Sequence, residues 1–291
     1  MLHTIQNQYL TVTVSELGAE LQSVLGADGT EYLWQGDPAY WKGRSPILFP
    51  FVGRLTDKKY WVDGKEYEIG IHGFARTSQF VVEQKTETEI VFLLRDNAET
   101  YASYPRHFAF RVIYKLEDNL LSACCRVTNE DERQMYFGLG GHPGICVPLK
   151  AGIPFEAYYL RFAEAGTPTR HLLAPSYLIS GETEAYPLVD GCKIPLRHDL
   201  FDDDAVILSG MSREMTLETP GDSHGVTVCF PEMPYVGLWH MPHTDAPYVC
   251  IEPWYTLPAA DNSVTVLEQR DDMIQLAPGG QYDNTWTMRC F

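Results

Sequence analysis

Apolar and polar residues alternate with a period of two along much of the chain. In YLTVTVSEL, Leu10, Val12 and Val14 share one face, and Thr11, Thr13 and Ser15 share the other. This is the pattern of a half-buried strand. GADGTEYLW and YWVDGKEYEIG each carry an Asp-Gly pair between candidate strands, which predicts hairpin turns there. QFVVEQKTETEIVFLLRD and HFAFRVIYKLEDNLLSACCRVTNE predict further strand pairs joined by polar turns. EMTLETPGDSHGVTVCF, SVTVLEQ and NTWTMRCF extend the series to the end of the chain. Helical periodicity is weak, and DPAYWKG and NAETYASYP predict single turns. From about Ala151 to Asp204 the chain is richer in Pro and loop residues, and long excursions over the same body are expected there. No repeat, low-complexity tract or linker divides the chain. Residues 1–291 are therefore expected to form one all-β domain, a large antiparallel β-sandwich.

Composition changes this picture little. Charged residues make up 21% and hydrophobic residues 45% of 291 positions, ordinary values for a globular protein. The formal net charge of −17 argues against nucleic acid or an anionic membrane as partner, since both would repel the chain. The opening MLHTIQNQYLTVTV lacks a basic segment followed by an apolar one, so no signal peptide is expected. No apolar run approaches the ~20 residues of a membrane span. The seven Cys show no short-spaced metal pattern, and reduced thiols in a cytoplasm fit best.

Candidate chemistry begins in YVCIEPWYTLP. Strand parity sends Val249 and Ile251 one way and Tyr248, Cys250 and Glu252 the other. Pro253 is expected to end the strand and to hold Glu252 extended. Glu252 is then either a reactive carboxylate on the open face or an edge-strand anion, paired with an Arg or simply solvated. QMYFGLGGHPGICVP gives His142 a comparable setting, with Gly138 and Gly140 on its face and Pro143 behind it. A turn-rich loop with a capping histidine is the other reading. EIGIHGFARTSQF places His72 and Arg76 at a strand end. SPILFPFVGRL puts Arg54 beside a strongly apolar run, where an Arg usually has a carboxylate or ligand partner. From Lys42 to Arg76 the local charge is +3 in a chain of −17, a field that suits an anionic substrate. Surface lysines at Lys58, Lys59 and Lys65 account for part of it.

Other arrangements fail. There is no Gly-x-Ser-x-Gly elbow and no P-loop. In WHMPHTD, His240 and His243 lack supporting ligands nearby, and Pro242 breaks any helix between them, so no metal site is expected.

The order GRL, HGFAR, GGHPG and YVCIEPW resembles the aldose 1-epimerase (galactose mutarotase-like) family, and within it the LacX-like branch. The resemblance runs from the first strand to QLAPGG near the end. It implies a large β-sandwich with an open sugar site on a concave sheet face. It also implies an isomerase that interconverts the α and β anomers of a hexose or hexose phosphate. Glu252 matches the family's general base and His142 its general acid. His72 and Arg54 match sugar-contacting residues. Asp204 in LFDDDAVIL matches a hydroxyl-binding aspartate, with Asp202 and Asp203 as neighbours that leave the alignment open. Here Pro-Gly-Ile-Cys follows the acid histidine where the galactose-specific pattern has a Phe-Asn-containing stretch, so the sugar's identity stays open.

The chemistry is coherent on its own terms. Opening a hemiacetal ring needs one group to take the C1 hydroxyl proton and another to protonate the ring oxygen. A carboxylate and a histidine suit these roles, because His titrates near neutrality. No cofactor or metal is required, and the partner is a small-molecule sugar. Trp254 and Trp239 suit packing against a sugar's apolar face, or belong to the core. A homodimer is compatible with this reading. A non-catalytic sugar-binding or sugar-sensing protein is the alternative, and it would need neither member of the proton-transfer pair.

Overall fold

The computed structural model describes all residues, 1–291. Two large antiparallel sheets dominate. The larger has nine strands, in spatial order Lys193–Pro195, Tyr159–Phe162, Glu214–Glu218, Val226–Cys229, Gln281–Cys290, Leu120–Asn129, Phe108–Glu117, Glu89–Arg95 and Val81–Lys85. The other has eight, running Ile179–Ala185, Thr169–Leu173, Val206–Ser209, Tyr235–Trp239, Tyr248–Trp254, Gly140–Gly141 and Ile47–Leu48, with Gly144–Cys146 also paired to Tyr248–Trp254. Smaller sheets of two or three strands flank these. The single α-helix, Ala98–Ser103, is closed at its N-terminus by Asn97, whose side chain accepts from the Glu99 and Thr100 N–H groups. No helix is long and apolar enough to cross a membrane.

The period-two pattern decides which faces meet. Leu120–Asn129 buries every second residue, and Gln281–Cys290 buries Asn284, Trp286, Met288 and Cys290. The apolar residues among them join one cluster of 64 residues, together with Val206, Leu208, Val236, Leu238, Val249 and Ile251 from the eight-stranded sheet. The core therefore lies between the two sheets, as in a sandwich. Most of the predicted hairpins are present, including Lys59–Val62 with Lys65–Glu68 around Asp63 and Gly64. In GADGTEYLW the turn forms, but its second arm is reduced to isolated bridges such as Leu25 with Glu31. SVTVLEQ is only a two-residue strand followed by a 3-10 turn.

Two expectations need correction. The segment from Ala151 to Asp204 is not a set of loop excursions. It supplies Tyr159–Phe162 and Lys193–Pro195 to one edge of the nine-stranded sheet, and Thr169–Leu173 and Ile179–Ala185 to one edge of the eight-stranded sheet. Edge strands tolerate the polar faces and prolines that disguised them. Nor does the strand at Glu252 stop before Pro253. It continues to Trp254, with Pro253 opposite Val236 and Trp254 opposite both Tyr235 and Gly140.

The reason is local. On the side away from Val236, Ile251 N–H donates to Pro143 O at 3.3 Å and Tyr255 N–H donates to Leu139 O at 2.8 Å. Residue 253 falls between these two bonds, where the neighbouring chain breaks from Gly140–Gly141 into Gly144–Cys146. A proline there forfeits one ladder bond at a place where the neighbouring strand is already interrupted.

Glycines let this strand's large side chains lie across their neighbours. A Cβ on Gly140 would stand 3.0 Å from Trp254 Cδ1, and one on Gly237 only 2.7 Å from Trp254 Cζ2. Gly138 makes room for Thr256 in the same way. The glycines beside His142 thus clear space for the protein's own side chains. Gly237→Ala is expected to displace the Trp254 indole and to lower stability by about 1–3 kcal/mol, the usual cost of overpacking. Gly166→Ala, whose new methyl would meet nothing within 4 Å, serves as the control. Urea midpoints of the two variants check this, and equal midpoints would refute it.

Candidate active site

The outer face of the eight-stranded sheet holds a cleft of about 260 Å³. Its lining includes Arg54, His72, Arg76, His142, Asp204 and Glu252, all six residues singled out in the sequence, as well as Trp41, Tyr177, Trp239 and Trp254. Each reaches the cleft for a local reason. Glu252 sits in a central strand, paired with Gly237. Every residue of Tyr248–Trp254 is buried. Val249 and Ile251 enter the main core, while Tyr248 and Cys250 join a separate cluster with Trp34. The parity argument therefore holds, but the edge-strand reading of Glu252 does not. His142 leaves the sheet where the chain breaks between Gly140–Gly141 and Gly144–Cys146, so it is not a loop cap.

His72 is held by reciprocal bonds. Its N–H donates to Gly53 O at 2.9 Å, and Gly53 N–H donates to His72 Nδ1 at 3.0 Å. These bonds sustain a left-handed φ of 62° at His72, a conformation unusual outside glycine. Gly73 follows at φ 71°, where a Cβ would lie 2.3 Å from Phe49 O. Because Nδ1 accepts, the ring proton of neutral His72 is on Nε2. Burial pushes the pKa of His72 well down, with His142, Arg76 and Arg54 adding to the effect.

His142 Nε2 stands 3.2 Å from Glu252 Oε2. The ring of His142 stacks on Trp41 with centroids 4.8 Å apart and meets Trp239 edge-on at 5.7 Å. His142 Nδ1 and Glu252 Oε2 are buried without a hydrogen-bond partner. Glu252 is 1% exposed. Its carboxyl is pushed well above the ordinary range by burial first and by Asp204 second. Burial also pushes His142 down, to about 3. Burial thus favours the uncharged form of each group, a protonated carboxyl and a neutral imidazole. An ordinary titration near neutrality is therefore not expected of His142.

Asp204 has a left-handed φ of 75°, and burial raises its pKa against the pull of Arg54 and the Trp239 indole. Asp202 and Asp203 line a neighbouring groove instead, and Asp202 accepts from the His243 N–H at 3.0 Å. Arg54 and Arg76 are exposed at the cleft. Neither makes a side-chain hydrogen bond or ion pair, whereas every other arginine donates at least one. The structural salt bridge considered for Arg54 is thus absent, and its guanidinium lies 5.5 Å from the Tyr177 ring. Of the lysines in the positive segment, Lys59 pairs with Glu66 on the surface.

Sequence reasoning did not single out Trp41 or Tyr177. DPAYWKG is a turn closed by Trp41 N–H to Asp37 O at 2.9 Å, and nothing in its pattern says that the indole covers His142. His240 and His243 do not converge. Buried His240 bonds to Met241 O and His198, and His243 bonds to Asp202. One three-residue group does have metal-ligating atoms in proximity: those of His142, Cys250 and Glu252 lie within 4.8 Å of one another.

Comparison with known proteins agrees with this arrangement. The sequence model of the aldose 1-epimerase family matches residues 1–285. Protein LacX of Lactococcus lactis subsp. lactis is 32% identical over 282 residues, covering 94% of each chain. A galactose mutarotase related enzyme from Lactobacillus acidophilus superposes with a TM-score of 0.95 at 38% identity, covering 100% of this chain and 97% of that one. A galactose mutarotase-like protein from Lactobacillus casei gives 0.95 at 33% identity, with both chains fully covered. A family pattern that runs nearly end to end, on a sandwich shared with such close structural relatives, makes this chain a member of the aldose 1-epimerase family and an epimerase-type enzyme.

Proposed function

We propose that the protein is a mutarotase that exchanges the α and β anomers of an aldohexose, with Glu252 and His142 as the proton-transfer pair. The observation that carries this reading is the 3.2 Å approach of His142 Nε2 to Glu252 Oε2 in a buried part of the cleft. One shared proton gives one acid and one base, which is what ring opening consumes. With the pair's proton moved first from the Glu252 carboxyl to His142, the Glu252 carboxylate takes the C1 hydroxyl proton, the His142 imidazolium delivers its proton to the ring oxygen, and the C1–O bond to that oxygen breaks. Rotation about C1–C2 turns the carbonyl over. The roles then reverse, and the ring closes on the other face. After opening, the carboxyl is protonated and the imidazole neutral, the two forms that burial favours. His72 Nε2–H donates to a sugar oxygen, and Asp204 accepts from a hydroxyl. Trp254 and Trp239 offer apolar walls.

The two unpaired guanidinium groups refine the substrate. Leaving Arg54 and Arg76 free at the cleft, while every other arginine is engaged, suits a sugar that carries a phosphate away from C1. Arginine matches phosphate oxygens in number and geometry. A hexose phosphate is therefore our preferred substrate class, acted on by residues 1–291 working as one domain.

Glu252→Gln keeps the side chain's size but cannot accept the C1 proton. The rate of anomer exchange, followed by NMR and corrected for the spontaneous reaction, is expected to fall about two to four orders of magnitude. Affinity measured by calorimetry should change far less. His142→Asn should behave similarly, with the double variant little worse than either single one. A folded Glu252→Gln protein that exchanges anomers near the parent rate would sink this assignment, and so favour a binding or sensing protein.

The pH profile follows from the pair. Below the depressed pKa of His142, about 3, a second proton removes the base. Above the raised pKa of Glu252, loss of the last proton removes the acid. The high-pH limb of kcat/KM should lie well above the ordinary carboxylate range, and the low-pH limb, where activity is lost on acidification, well below the ordinary histidine value of about 6.5. A clear limb at that value would show that the imidazole titrates independently.

For the substrate class, kcat/KM of a hexose 6-phosphate should exceed that of the free hexose. Arg76→Ala should lower the phosphate value by about tenfold or more, the worth of a charge-assisted hydrogen bond, and leave the free hexose nearly unchanged. Equal values for both sugars, together with no effect of Arg76→Ala, would remove the phosphate from this proposal.

A further inference from the structure

Cys250 lies behind the His142–Glu252 pair and takes no part in the chemistry above. Parity places it on Glu252's face of the strand, two residues earlier. It is fully buried among aromatic side chains that include Trp34 and Tyr248. Its thiol makes no hydrogen bond, unlike that of Cys146, which donates to Leu33 O. The ligating atoms of His142, Cys250 and Glu252 fall within 4.8 Å of one another. Two light-atom ligands at about 2.0–2.1 Å from a tetrahedral zinc stand roughly 3.3 Å apart. The 3.2 Å between His142 Nε2 and Glu252 Oε2 already has that spacing. Independently, Glu252 Oε2 is buried with no hydrogen-bond partner, so its lone pairs are free. One sulfur, one imidazole nitrogen and one carboxylate oxygen make a ligand set suited to zinc and its softer congeners. His142 and Glu252 also line the cleft, which leaves a fourth position open towards it.

We propose that His142, Cys250 and Glu252 form a three-ligand site for a soft divalent cation, zinc or cadmium, whose occupation blocks the sugar cleft. Cys250 binds as thiolate and Glu252 as carboxylate, and the protons they release go to solvent. The cation sits where the shared proton would move, so it inhibits and does not activate. The blocking effect rests on the proposed roles of His142 and Glu252; binding of the cation does not.

The test titrates cadmium chloride into the metal-free full chain and follows the ultraviolet thiolate-to-cadmium charge-transfer band. A saturable band is expected. Cys250→Ala and Cys250→Ser should both lose it, while Cys124→Ser keeps it. Zinc chloride should inhibit anomer exchange, reversibly on adding a chelator, and more than about tenfold more weakly in Cys250→Ala. No band, a band unchanged in both Cys250 variants, or equal zinc inhibition of parent and variant would overturn the proposal. Should both variants misfold, cadmium-soaked parent crystals decide through an anomalous peak at these three side chains or its absence. The band reads the site whether or not the protein epimerises any sugar, so failure of the metal site and failure of the mutarotase reading are separable.

Discussion

Much of the molecule is arranged around one carboxyl group kept dry without a cation to neutralise it. Glu252 is 1% exposed, and neither Arg54 nor Arg76 forms an ion pair with it. A lone buried carboxylate is costly, and a protein relieves that cost by protonating the group. The nearest base is His142, itself desolvated under the Trp41 ring. Two groups that would each be strained when charged can share a single proton. The aromatic cover, the central strand and the broken neighbouring strand all maintain that condition. Hydrating the carboxyl would return each group towards independent titration.

The same strand shows how far the sequence could be read. Alternation along YVCIEPW placed Val249 and Ile251 in the core and Glu252 on the opposite face, and the clusters divide in that way. What alternation could not reveal was that both faces are covered, because periodicity speaks to direction and not to what lies above the sheet. Pro253 misled for a similar reason. The rule against proline in a central ladder assumes an unbroken neighbour, and this neighbour is interrupted at that point. Tyr159–Phe162 and Thr169–Leu173 went unseen in a stretch rich in proline and polar residues, since strands near an edge need less apolar surface. GRL, HGFAR and GGHPG stood out as motifs, and the glycines in them do have backbone reasons. Gly53 and Gly73 adopt positive φ against close neighbours, Pro258 and Phe49, and Gly140 yields to Trp254. Trp41 and Tyr177 come from turns, where side-chain direction depends on tertiary contacts that no local pattern encodes.

His72 illustrates a different economy. A residue in a left-handed conformation needs support from its surroundings, and here the same two bonds to Gly53 supply it and fix the ring. The strained backbone and the defined tautomer are one feature. A histidine held in this way presents an N–H to the cleft and stays neutral beside His142.

The unengaged arginines have a consequence for encounter as well as for binding. A chain of formal charge −17 repels anions at a distance, yet Arg54 and Arg76 present positive charge at the mouth. At physiological ionic strength the screening length is about 8 Å. Beyond that range the far field of the acidic surface is largely extinguished, while the two guanidinium groups still act on a molecule at the threshold. In dilute buffer the repulsive field reaches outward and slows arrival. Added salt thus has opposing effects, quickening approach and loosening the final contact, and capture of an anionic sugar would pass through an optimum in ionic strength.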